Sequence, residues 1–178
     1  RGLGDVYKRQ VENEIHFFAG SEEDVLDRYY KCAQSYNLKN IVRATGDNPF
    51  VDVEAGSKLL DFYFRQNLDY SDSFTSGLPK GMGLEIFSLD ALKESWEKGL
   101  NPHHREHVNE YIIENPTHFK IEKLPFYLDK DLSDLSLTVD TQKEFNIAEQ
   151  IYSSAKKQKL DHIDLHWICL LYTSDAAD

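Results

Sequence analysis

Residues 40–52 read NIVRATGDNPFVD, a β-rich run that passes into a Gly-Asp-Asn-Pro loop. Its first six residues carry the β-branched and apolar character of a short strand, predicted over 40–45, and Gly46 and Pro49 break it. An apolar periodicity of helical spacing follows over 53–66. A strand that runs into Gly46-Asp47 and then into a helix is the local form of an α/β sheet, where ligands gather beyond the carboxyl ends of the strands.

The same alternation extends in both directions. Upstream, EIHFFA (14–19) is predicted as a strand ended by Gly20. Ser21 is predicted to cap a helix through about residue 36, with acids at 22–24 and apolar residues Val25, Leu26, Tyr29, Tyr30 and Ala33 on one face. Downstream, extended segments are predicted at 68–71, 84–87, 119–124 and 135–139, and helices at 89–98, 105–114 and 141–157. This order predicts an α/β domain with a mostly parallel sheet. Two of its strands end on an aspartate, Asp47 and Asp140, and paired carboxylates at strand ends suit a hard cation that also takes phosphate oxygens.

Bulk composition narrows the function. The chain has 178 residues, 40% hydrophobic and 12% aromatic, enough for one domain with a core. Its formal net charge of −11 argues against nucleic acid, whose phosphates need a basic surface. No apolar run reaches the roughly 18 residues of a membrane span and no secretion signal opens the chain, so a cytoplasmic protein is expected. Cys32 and Cys169 have neither CxxC spacing nor a metal-site pattern.

The two ends, RGLGDVYKRQ (1–10) and CLLYTSDAAD (169–178), share no periodicity with the rest. DVYKRQ and CLLYTS back-translate into the two orientations of a transposase adapter used in sequencing libraries, so both ends are expected to be foreign, leaving 11–168 as a partial domain.

Read together, the motifs resemble the cytidylyltransferase family that includes the Kdo, acylneuraminate and spore-coat-polysaccharide types. TGDNPFVD (45–52) resembles its GD-x-P loop, and FAGSEEDVLDRYYKCA (18–33) the stretch before that loop. PKGMGLEIFS (79–88) resembles its Pro-basic-Gly segment, REHVNEYI (105–112) its Arg-Glu-His-Val helix, and LTVDT (137–141) its late Asp strand. The series spans almost the whole insert in the family's order.

The resemblance implies a three-layer fold of the nucleotide-diphospho-sugar transferase type, incomplete at its N-terminus. It implies transfer of CMP from CTP to a sugar, releasing pyrophosphate, for surface polysaccharide synthesis, with Mg²⁺ as cofactor. Asp47 and Asp140 would be the catalytic metal carboxylates, and Arg43, Asn48, Glu85, Arg105 and His107 would line the substrate side.

Two departures stand out. Nothing before Glu14 supplies the family's basic Gly/Ser loop for the CTP phosphates, so the fragment is expected to be inactive. Ser136 stands where the spore-coat pattern has Arg, and Lys80 where it has another basic residue. A uridylyl- or guanylyltransferase of the same fold, or a non-catalytic sugar-binding module, are the alternatives.

Each site has a plainer reading. Asp47 in Gly-Asp-Asn-Pro is also a turn residue, and Asp140 also suits the N-cap of the last helix. Glu85 at the polar phase of a strand also suits simple exposure. His103, His104 and His107 invite a zinc site but lack a third ligand, and are read as solvated or hydrogen-bonded. His162 and His166 resemble no site. Phe62, Tyr63 and Phe64 read as core or as a subunit contact, which leaves a homodimer open.

Overall fold

A computed structural model describes residues 15–125, 128 and 131–174. The predicted start of a strand at Glu14, residues 1–10 and the last four residues lie outside these. The chain divides into two compact units. One comprises the described residues up to Lys39 together with Leu89–Asn115; the other runs from Asn40 to Ser88 and from Pro116 onward.

The first unit is helical. Helix α1 (Val25–Ser35) buries Leu26, Tyr30 and Ala33, at the 4- and 3-residue spacing that puts them on one face. Its cap is Asp24, whose carboxylate accepts from the Asp27 N–H at 2.8 Å. Ser21, predicted as the cap, instead accepts from the Asp24 N–H at 3.0 Å, three residues ahead of the cap that starts the helix. A later helix of the same unit, Leu89–Lys98, buries Ala91, Leu92 and Ser95. Trp96 on it donates to Asp27 at 2.8 Å and stacks at 4.8 Å on Tyr30. The helix predicted over 105–114 is two short ones, Pro102–Glu106 and Glu110–Glu114. Pro102 opens the first early because its fixed φ suits a first helical turn, and His107 ends it in an extended conformation that lets Val108 turn inward to complete burial.

The second unit contains the sheet. Strands β1 (Asn40–Arg43), β2 (Tyr70–Asp72) and β3 (Glu85–Ser88) are ordered β1-β3-β2. Both ladders are antiparallel, with Arg43 and Asp72 each opposite Glu85. The expectation of a mostly parallel sheet is corrected in this respect: β1 and β2 share a direction, and β3 runs against both between them. Parallel pairing appears as single bridges, Tyr70 with Ile121 and Lys80 with Ser136. The predicted strands at 119–124 and 135–139 are therefore single bridges, and residues 15–19 form no strand. Each of these segments has apolar character without a run of backbone partners long enough to make a ladder.

Helix α2 (Val53–Gln66), which precedes the Leu89–Lys98 helix (α3) in the chain, is capped by Asp52, which accepts from the Ala55 N–H at 2.7 Å. It ends at Asn67 in the left-handed conformation that a C-terminal cap requires. With α4 (Pro102–Glu106) and α5 (Glu110–Glu114) in the first unit, the second ends in α6 (Gln142–Lys157) and α7 (Leu165–Ser174), the latter crossing from residue 168 into 169–174. Leu59, Tyr63, Leu68, Ile86 and Leu124 form one core cluster; Phe50, Ala55, Leu78, Met82, Leu137, Ile151 and Ile168 form another. Tyr63 is thus core, as one of the two readings had it, while Phe64 faces solvent. Each fully buried Leu, Ile, Phe or Met among them contributes about 1.5–3 kcal/mol.

Candidate functional site

Asp47 and Asp140 lie far apart in sequence and face one cavity of about 370 Å³ in the second unit. Asn48, Lys80, Gly81, Ser133 and Thr138 share its wall. The two loops are tied through the backbone: the Val139 N–H donates to the Asp47 carbonyl at 2.8 Å. On the Asp47 side, the Asn48 amide donates to the Thr45 hydroxyl at 2.8 Å, closing the turn that displays the carboxylate. The other loop is anchored by α6, whose N-cap is Thr141 and not Asp140. Thr141 and Glu144 form a capping box, and the Glu144 carboxylate also accepts from the Asp140 N–H at 2.9 Å. The residue before the cap is free to aim its carboxylate away from the helix, so Asp140 is exposed, as is Asp47.

Gly81 is what allows the walls to approach. Its φ is +93°, and a Cβ there would stand 2.7 Å from the Thr138 nitrogen and 3.0 Å from the Asn48 amide oxygen. On either side of it, Lys80 bonds Leu135 and Leu137 through its backbone, at 2.8 Å each. Lys80, exposed on the cavity wall, is its basic group.

Arg43 and Glu85 form a separate buried arrangement. Glu85, on the central strand, is 1% exposed, which corrects the reading of it as a solvent-facing strand residue. A central strand covered on both faces has no polar phase. One carboxylate oxygen is ion-paired with Arg43 from β1, and the other accepts from the Tyr70 hydroxyl at 2.9 Å. Burial pushes the Glu85 carboxyl above its ordinary range, against the pull of Arg43. Asp72, its neighbour on β2, is pushed up by the same cause and accepts from the Phe74 N–H at 3.0 Å.

The geometry can be set beside known proteins. The cytidylyltransferase family model matches residues 4–166. The chain belongs to the cytidylyltransferase family. A cytidylyltransferase from Leptospira borgpetersenii has the same fold, with a TM-score of 0.78 and 28% identity over 86% of this chain and 66% of that one. An uncharacterized protein of Methanocaldococcus jannaschii is 39% identical over 75% of this chain and 54% of its own length. The spore coat polysaccharide biosynthesis protein SpsF of Bacillus subtilis is 30% identical over 82% of this chain and 60% of its own. The chain thus spans between half and two thirds of the curated relatives it matches.

The remaining positions that the family resemblance singled out lie in the helical unit. Arg105 is held by Asp24, at 2.6 and 2.8 Å from one carboxylate oxygen, and donates to the Trp96 carbonyl at 2.9 Å. His107 is exposed and serves as the C-cap residue of α4. Of the seven predicted positions in this cytidylyltransferase chain, the structure gathers Asp47, Asn48 and Asp140 at one cavity and pairs Arg43 with Glu85. Sequence reasoning passed over Asp72. The signal was there, since Asp72 also closes a strand, and the strand-end rule that selected Asp47 and Asp140 selects it too.

Proposed function

We propose that the parent protein transfers CMP from CTP to a sugar hydroxyl, releasing pyrophosphate, in the making of a surface polysaccharide. The observation that carries this reading is the convergence of Asp47 and Asp140 on one cavity, tied by the Val139–Asp47 backbone bond. Family membership and the likeness to SpsF support the nucleotide and the polysaccharide setting.

The donor set fits Mg²⁺. Two exposed carboxylates face the same space with no imidazole or thiolate among the residues lining it, the all-oxygen chemistry that a hard cation prefers. Bound there, Mg²⁺ would neutralise charge on the triphosphate. In the reaction a sugar hydroxyl oxygen bonds to the α-phosphorus and releases its proton to solvent, while the α–β bridging bond breaks and pyrophosphate leaves with the electron pair. The chain's contribution is positioning. Asp47 and Asp140 hold the cation, the Thr45–Asn48 turn and the α6 capping box fix their directions, and Lys80 offers a positive charge to a phosphate. Arg43 and Glu85, paired within the same unit, brace its sheet.

The test is pyrophosphate release by the full-length protein with CTP, Mg²⁺ and a panel of sugars. Asp47→Ala and Asp140→Ala should each abolish Mg²⁺-dependent release, and near-normal turnover by either would refute the assignment. Preference for UTP or GTP over CTP would move the activity to another nucleotide while leaving the carboxylate roles intact.

A further inference from the structure

His103 and His104 on α4 and Glu114 on α5 converge within the helical unit. Their ligand atoms all lie within 4.8 Å of one another. The His103 Nε2 is 2.8 Å from one oxygen of the Glu114 carboxylate and the His104 Nε2 is 2.8 Å from the other. The sequence offered no third ligand for these histidines. The fold supplies one from ten residues further on.

We propose that this trio is a binding site for a divalent transition ion of the zinc class. Two imidazoles and a carboxylate are the donor set of three-ligand zinc sites, and imidazole selects Zn²⁺, Co²⁺ or Ni²⁺ over Mg²⁺. Ligand atoms around a tetrahedral ion with bonds near 2.0–2.2 Å stand about 3.3–3.6 Å apart. Each histidine nitrogen now lies 2.8 Å from a Glu114 carboxylate oxygen, closer than that spacing, so entry of the ion requires the exposed Glu114 side chain to draw back.

The burial pattern matches a site open on one side. The side chains of His103 and Glu114 are 45% and 46% exposed, which gives the ion a path in and leaves a position for water. That of His104 is 5% exposed, and its ring is set edge-on against Tyr111 at 5.5 Å, so one ligand is fixed in advance. Loading moves the Nε2 proton of each neutral imidazole to Nδ1, and the Nε2 lone pair takes the metal. The His104 Nδ1 is buried with no hydrogen-bond partner, so the shifted proton starts as an unpaired buried N–H, a cost that the metal–ligand bonds have to exceed. The bound ion would cross-link the two short helices. It would act independently of the Asp47–Asp140 pair, which carries no imidazole.

Zinc titration of the full chain, followed by calorimetry and by the histidine ring resonances in NMR, tests this. One equivalent should bind and shift the rings of His103 and His104. His103→Gln and Glu114→Gln, both at half-exposed positions, should each weaken binding about tenfold or more while leaving the circular dichroism unchanged. Asp47→Asn with Asp140→Asn should leave zinc affinity as it was. No binding by the unaltered chain would overturn the proposal, as would unchanged affinity in both His103→Gln and Glu114→Gln, or loss confined to the double Asp variant.

Discussion

Glu85 concentrates the residue-scale physics. It is buried between two strands, paired with Arg43 and Tyr70, and set opposite a second buried carboxyl, Asp72. A carboxyl whose folded pKa is raised binds its proton more tightly in the native state. Native stability therefore falls as pH rises from the unfolded carboxylate range through the folded value. Relative to a Glu85→Gln variant, the unaltered protein should lose melting temperature as pH climbs above 4.5, the ordinary Glu value; a pH-independent difference would remove Glu85 as the source. This environment was only half legible. Strand position was readable from LEIFS, but burial on both faces was not, because it depends on β1 and β2, which come from 13 or more residues upstream. Arg105 was likewise visible as a motif residue, while its partner Asp24 is separated from it by 81 positions.

Elements were legible where their stop signals are local. The Thr141–Glu144 capping box, the Asp52 cap and the Asn67 terminus each rest on residues within a single turn, and the helices they bound lie where periodicity put them. Strands were less so, since a strand exists only with its partner; 135–139 makes single backbone bonds to Lys80 and Asp47 and no ladder. Thr141→Ala removes the acceptor for the Glu144 N–H and should cost about 1 kcal/mol in denaturant unfolding. It should also weaken Mg²⁺ binding, because the same box holds the backbone of Asp140. Gly81→Ala puts a side chain at a positive φ and against the Thr138 nitrogen, and should cost about 1 kcal/mol or more while widening the cavity. A variant as stable as the parent would show that the 80–82 turn relaxes freely.

At the scale of the molecule, the α/β class and the family were legible because the motif series runs nearly the length of the chain, in agreement with a family match over 4–166. Strand order was not, since hydrophobic pattern carries no direction. The formal charge is −11, and the response to acid follows from the carboxylates whose pKa folding changes. Asp27, Glu114, Asp131 and Glu144 are held below their ordinary values, the first chiefly by Lys31 and the second chiefly by His104. Groups of this kind stabilise the native state above their unfolded pKa and lose that contribution as pH falls through the folded one. Melting temperature should therefore decline below about pH 4, less steeply in Glu114→Gln, as thermal unfolding across pH would record. No helix among the described residues is long and apolar enough to cross a membrane. Finally, the bond from the Val139 amide to the Asp47 carbonyl makes one proton a witness to the whole cavity. The two carboxylate loops cannot drift apart without baring that amide to solvent. Its deuterium uptake therefore counts how often the paired aspartates separate, and a cation that clamps them should slow that single exchange rate ahead of any change in global unfolding.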